Sequence, residues 1–116
     1  MRLRVAMALT SLLATLAASQ AWAADEPTGQ DLAFDNKKGN CLACHSIPGD
    51  PKANTMANIA PPLLAMKSRY PDRAKLRDQI WDSTKANPRT SMPPFGKHKI
   101  LTEQELDKVV DYVHSL

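Results

Sequence analysis

The chain has 116 residues, with 15 Lys and Arg against 12 Asp and Glu, a formal net charge of +3 and 43% hydrophobic residues. That length bounds it to one small domain of ordinary globular composition. It holds no block of Lys and Arg and no interleaving of basic with aromatic residues, so nothing points to a nucleic-acid surface.

The first element is a leader. Met1-Arg2-Leu3-Arg4 is basic, Val5 to Ala18 is apolar, and Ala21-Trp22-Ala23 offers small residues at the two positions a signal peptidase reads. Together these make a secretory signal peptide over residues 1–23. The apolar run is short for a bilayer span, which makes an uncleaved anchor the weaker reading. Cleavage after Ala23 leaves residues 24–116, a domain of 93 residues with no other stretch of membrane-spanning length. Arg2 and Arg4 depart with the leader, so the mature balance is 13 basic against 12 acidic residues, or +1. Domains of that size are marginal unless something extra fills the core. Only five of the six aromatic residues remain to do so.

Residues 24–30 contain Pro27, Thr28 and Gly29 and are expected to fray. Asp31 to about Lys38 is expected to form a short helix with Leu32, Ala33 and Phe34 as apolar positions, broken by Gly39-Asn40. Next comes Cys41-Leu42-Ala43-Cys44-His45, the C-x-x-C-H signal for attachment of a c-type haem. Each thiol adds across one haem vinyl group. Two intervening residues let both sulfurs reach one porphyrin edge, and His45 then offers an imidazole nitrogen to the iron. The bound group would move single electrons. Other readings of the motif are weaker. A thioredoxin-like pair expects a βαβ context, and no strand pattern surrounds it. A zinc site needs further Cys or His ligands at close spacing, and these are the only two cysteines. A disulfide would close a very tight loop. Haem is attached to this motif outside the bacterial cytoplasm, so leader and motif support each other.

Ser46 to Pro62 carries Pro48, Gly49, Pro51, Asn54, Asn58, Pro61 and Pro62 and is expected to be irregular. A loop so long is expected to wrap a ligand. Leu63 to about Arg69 reads as a short helix, and Asp72 to about Lys85 as a longer one with Leu76, Ile80 and Trp81 on one side. Trp81, Arg73 and Arg77 are also residue types favoured at interfaces. Asn87 to Ile100 is loop again. The last helix is announced by a capping box, Thr102 with Glu105, and by the staple pair Leu101 and Leu106. Leu106, Val109, Val110 and Val113 form its apolar stripe. Nothing alternates with period two, so the fold class is all-α.

A second axial ligand suits an electron-transfer haem. The candidates beyond the leader are Met56, Met66, Met92, His98 and His114. Met92 stands out because Pro93 and Pro94 stiffen its loop, which can hold a weak thioether ligand in place. Met66 fits core packing, and Met56 could ligate only if its polar loop folded inward. His98 and His114 are expected at the surface. A ligating histidine usually donates its other ring N–H to a carbonyl, and a proline carbonyl of Pro61-Pro62 is a natural acceptor.

A helix, C-x-x-C-H, a proline before a leucine, a Met-Pro loop and a final helix, in that order, resemble class I cytochrome c. The resemblance covers nearly all of residues 24–116. It implies about four helices wrapped around one covalent haem, with the first and last helices crossing. It also implies Cys41 and Cys44 as thioether sites, His45 and Met92 as axial iron ligands, Pro61 as acceptor for His45, and Leu63 as a haem-packing residue. Two departures stand out: Ala60 where the family has glycine, and Phe34 seven residues before Cys41 rather than four. Longer segments, Gly39 to Pro51, Tyr70 to Asp82 and Met92 to Thr102, resemble the SoxX family of sulfur-oxidation cytochromes. That narrower resemblance implies a periplasmic heterodimer with the cytochrome SoxA, an L-cysteine S-thiosulfotransferase acting on the carrier SoxYZ. Catalysis would lie in SoxA, with no catalytic residue in this chain, which would pass electrons to a soluble acceptor. The competing readings are a free-standing periplasmic carrier, for which a basic rim of Lys37-Lys38 and Lys97-His98-Lys99 would serve equally, and an open-site haem protein of peroxidase type.

Overall fold

The structure is a computed structural model that describes residues 25–116; the leader lies outside them. Four α-helices make up its frame: α1 Gly29–Phe34, α2 Met66–Arg69, α3 Arg73–Trp81 and α4 Glu103–His114. Single 3-10 turns occur at Cys41–Ala43 and Ser83–Lys85. Among the described residues there is no strand, as the absence of alternation leads one to expect.

Helix α1 starts earlier than the sequence reading placed it, and it stops earlier too. Thr28 Oγ1 accepts from the Asp31 amide at 3.1 Å, and Asp31 accepts in return from the Thr28 amide at 2.9 Å. This capping box satisfies two otherwise orphaned donors and makes Gly29 the first helical residue rather than part of a frayed end. After Phe34 the chain turns back, and the Gly39 amide donates to Leu32 O at 3.0 Å.

Helix α4 is the organising element. Its capping box, Thr102 with Glu105, forms as expected, and Leu106, Val109, Val110 and Val113 are all buried. Burying each such side chain contributes roughly 1.5–3 kcal/mol. Helix α1 crosses α4 so closely that a Cβ on Gly29 would lie 2.0 Å from Lys108 O. Phe34 then meets Tyr112 edge-on, with centroids 5.9 Å apart and an interplanar angle of 82°. The crossing is therefore made despite the displaced aromatic.

Helix α3 also packs on α4, burying Leu76 and Ile80. It ends at Trp81, short of Lys85, because Asp82 leaves helical geometry and caps the following 3-10 turn through the Thr84 amide. Arg73 and Arg77 face the acidic side of α4. Arg73 contacts Asp111 at 2.5 Å and Arg77 contacts Asp107 at 2.7 Å. These arginines are engaged within the fold. Helix α2 is a single turn beginning at Met66, not at Leu63, and its first amide donates to Leu116 O at 2.8 Å.

Candidate functional site

The site is built around the turn at Cys41. Asn40 takes a left-handed conformation, with φ of 48°, and redirects the chain out of the bend that follows α1. Asparagine tolerates that conformation better than most residues. Cys41–Ala43 then forms one tight turn, with the Cys44 and His45 amides both donating to Cys41 O at 3.2 and 2.9 Å. Both cysteines are free and half-buried. Burial pushes the Cys41 thiol up to about 11. That shift runs opposite to the lowered pKa of the cysteines that disulfide chemistry uses.

His45 is fixed from behind. Cys44 O accepts from the Ala60 amide at 3.0 Å, and Ser46 O accepts from the Leu63 amide at 2.9 Å. These two bonds draw residues 44–46 and 60–63 alongside each other. Pro61 and Pro62 lie between them and have no N–H to donate. The Pro61 carbonyl accepts instead from His45 Nδ1 at 2.6 Å. That bond leaves Nε2 as the nitrogen available to a metal and sets the tautomer, as metal-ligating histidines commonly require. Ala60 is accommodated in this run without a glycine. Leu63 is buried at 9% exposure, whereas Leu64 is 50% exposed, so only the first of the pair faces the core. Thr55 Oγ1 donates to Leu42 O at 2.8 Å and ties the long loop back onto the motif.

Met92 is half-buried and packs against the core. Its amide donates to Thr90 Oγ1 at 3.1 Å, and its carbonyl accepts from Ser83 Oγ at 2.9 Å. Pro93 and Pro94 fix the φ angles that follow. The other candidates fall elsewhere. Met66 is a core residue at 2% exposure, Met56 is 97% exposed, and His98 is exposed. His114, expected to face solvent, is half-buried and its Nε2–H donates to Tyr70 O at 2.9 Å. That bond closes the end of α4 over the Tyr70-Pro71 break.

Three contributions were missed by sequence reasoning: Ser83 beneath Met92, Gly96 against Trp81, and Asp50 between Gln30 and Tyr112. A Cβ on Gly96 would meet the Trp81 ring at 2.0 Å. Gly96 carried a weak signal as a glycine shortly after two prolines. Ser83 and Asp50 carried none, because each acts through a contact distant in sequence.

Two thiols on one turn, an imidazole with Nε2 unencumbered, and a thioether in a stiff loop make a donor set that fits a covalent haem and its iron. The cytochrome c family model matches residues 27–116. The chain belongs to the cytochrome c family. As a cytochrome c it carries one covalent haem c. Among solved structures it is similar to a chain of the crystal structure of SoxXA from P. pantotrophus, with a TM-score of 0.67 and 26% identity over 78% of this chain and 83% of that one. This supports a SoxX-like class I cytochrome c fold. An uncharacterized lipoprotein of Aquifex aeolicus (strain VF5) is 35% identical over 79 residues, covering 68% of this chain and 37% of the relative. The chain thus spans little more than a third of that relative's length. An electron-transfer role follows from the family.

Proposed function

We propose that this cytochrome is the electron-accepting, non-catalytic subunit of a SoxAX-type periplasmic complex, an L-cysteine S-thiosulfotransferase in thiosulfate oxidation. The observation that carries this reading is the likeness to SoxXA, which extends over most of both chains. On this reading Cys41 and Cys44 hold the haem by thioethers, and His45 and Met92 ligate its iron. Bound there, the haem supplies a one-electron iron couple whose potential methionine ligation raises relative to bis-histidine. The protein's own part is to orient and exclude. Pro61 O holds the His45 ring, Leu63 gives apolar packing, and the Met92 loop keeps a sixth ligand in place so that no substrate reaches the metal.

Residues 1–23 serve as the export signal and residues 24–116 as the mature cytochrome domain. The lipoprotein name of the Aquifex relative is compatible with export. The partner is a SoxA cytochrome, with SoxYZ as the indirect substrate carrier and a soluble acceptor downstream. A free-standing shuttle is the alternative. Its basic rim is partly neutralised here, because Lys38 pairs with Glu105 at 2.8 Å and Lys97 with Asp82 at 3.2 Å. A steering patch of one sign is correspondingly weaker.

The test is to express the full chain with a C-terminal tag in its native host and identify what co-purifies. A second, larger c-type cytochrome in equal amount, with thiosulfate-dependent reduction of this haem, is the expected result. A lone red protein inert to thiosulfate would leave a soluble carrier and end the SoxAX reading.

A further inference from the structure

We propose that the C-terminal end of α3 is the device that positions Met92, with Ser83 and Gly96 as the positioning residues. The proposal rests on Met92 being the sixth iron ligand. The loop that carries Met92 is long and has little secondary structure of its own, so something outside it must set the height of the thioether. The structure shows what does so. Ser83 Oγ donates to Met92 O at 2.9 Å, and Ser83 is fully buried. Four residues on, the Gly96 and Lys97 amides both donate to Trp81 O at 3.2 Å. Gly96 lies flat on the Trp81 ring, leaving no room for a Cβ. Asp82, itself buried, holds Lys97 at 3.2 Å. Three consecutive residues, Trp81, Asp82 and Ser83, thus grip the loop at Met92, Gly96 and Lys97.

The grip is anchored in turn. The Arg77 guanidinium stacks 5.3 Å from the Trp81 ring centroid, and Arg77 bonds Asp107 of α4 at 2.7 Å. Helix α4 contributes more buried side chains than any other described helix, so Met92 is referred back to the core through α3. Proline stiffness within the loop shapes its tip. The α3 end decides where that tip sits.

The test uses the full-length, haem-loaded protein in three variants: Ser83→Ala, Gly96→Ala and Met92→Ala. Ferric protein is titrated with imidazole, which competes with a thioether for the sixth site. The far-red band that methionine ligation gives ferric haem is recorded alongside the reduction potential. Ser83→Ala removes one buried donor, a loss that corresponds to about fivefold tighter imidazole binding. Gly96→Ala forces the loop off Trp81 and is expected to bind imidazole more than about tenfold tighter, with a weakened far-red band and a lower potential. Helical circular dichroism should stay at the parent level in Ser83→Ala. If Met92→Ala abolishes the band while Ser83→Ala and Gly96→Ala keep parental band, potential and imidazole affinity, the positioning role is wrong and the ligand assignment stands. If Met92→Ala retains the band, the ligand assignment fails and the proposal falls with it.

Discussion

Asp50 joins three parts of the chain at one carboxylate. It accepts from Tyr112 Oη on α4 at 2.6 Å, from Gln30 Nε2 on α1 at 2.5 Å and from the Lys52 amide at 2.9 Å. The Tyr112 hydroxyl first, then the Lys52 amide and Gln30, hold the Asp50 carboxyl below its ordinary value of 3.8. Burial and the same carboxylate push the Tyr112 phenol well above its ordinary range. A depressed carboxyl favours the folded state above the unfolded pKa, and that gain disappears as pH falls through the folded pKa. Asp50→Asn should therefore lower the thermal midpoint at pH 7, and by progressively less as the pH falls below 3.8. A loss that stays constant down to the acid limit of folding would show that the charge of Asp50 is not what matters. Nothing in the sequence marks Asp50, since its two side-chain partners lie 20 and 62 residues away. Gly29 was hidden for a different reason. A glycine two residues after a proline reads as a breaker, and only the nearness of Lys108 O shows that it is needed for a close crossing.

Helices were legible in proportion to how much of their stability is local. Helix α4 carries its own cap, staple and stripe within 12 residues and a flank, and it forms where the pattern places it. Helix α1 has an equally good cap, Thr28 with Asp31, but only six residues. Its apolar cluster Leu32, Ala33 and Phe34 lies at the far end and drew the expected boundaries too late. Helix α2 has four residues, too few for any periodicity, so its expected start fell at Leu63 instead of Met66, and only the family resemblance set Leu63 apart from Leu64. The haem motif and the Pro61 carbonyl that meets His45 were legible because each has a spacing or a proline attached; Met92 stands out by the same sign and is the proposed ligand. Helix α3 was legible in its middle and not at its end, where Asp82 turns outward from helix to cap. It also buries only Leu76 and Ile80, so its docking leans on charge. Asp107 lies between Arg77 at 2.7 Å and Arg73 at 3.7 Å. Pairs this exposed are worth up to about 1 kcal/mol and are screened by salt. Asp107→Asn should cost about 1 kcal/mol in urea unfolding of the haem-loaded protein at low ionic strength and almost nothing in 1 M salt. A cost independent of salt would mean that the arginines act by packing alone.

The described residues form four α-helices of 6, 4, 9 and 12 residues. Isolated helices below about 12–15 residues are marginal in water, so these depend on what they pack against. The protein core they share is a cluster of 13 side chains, five of them on α4 or immediately before it. The segments 44–65 and 86–102 hold no helical turn of either kind, and their order comes from scattered bonds such as Thr55 to Leu42 and Ser83 to Met92. Ordering that much backbone costs of order 1 kcal/mol per residue, and a core this small contributes little surplus. The haem is the remaining source of buried apolar area, and the covalent bonds at Cys41 and Cys44 keep it with the chain. The double variant Cys41→Ser/Cys44→Ser, purified without haem, should therefore lose more than about half of the helical signal and show no cooperative thermal transition. Helix α4 alone should persist in part, because its cap and stripe are local. Native helicity with a sharp transition in the haem-free variant would mean that the 13-residue cluster suffices, and that the haem is a passenger in the fold rather than its centre.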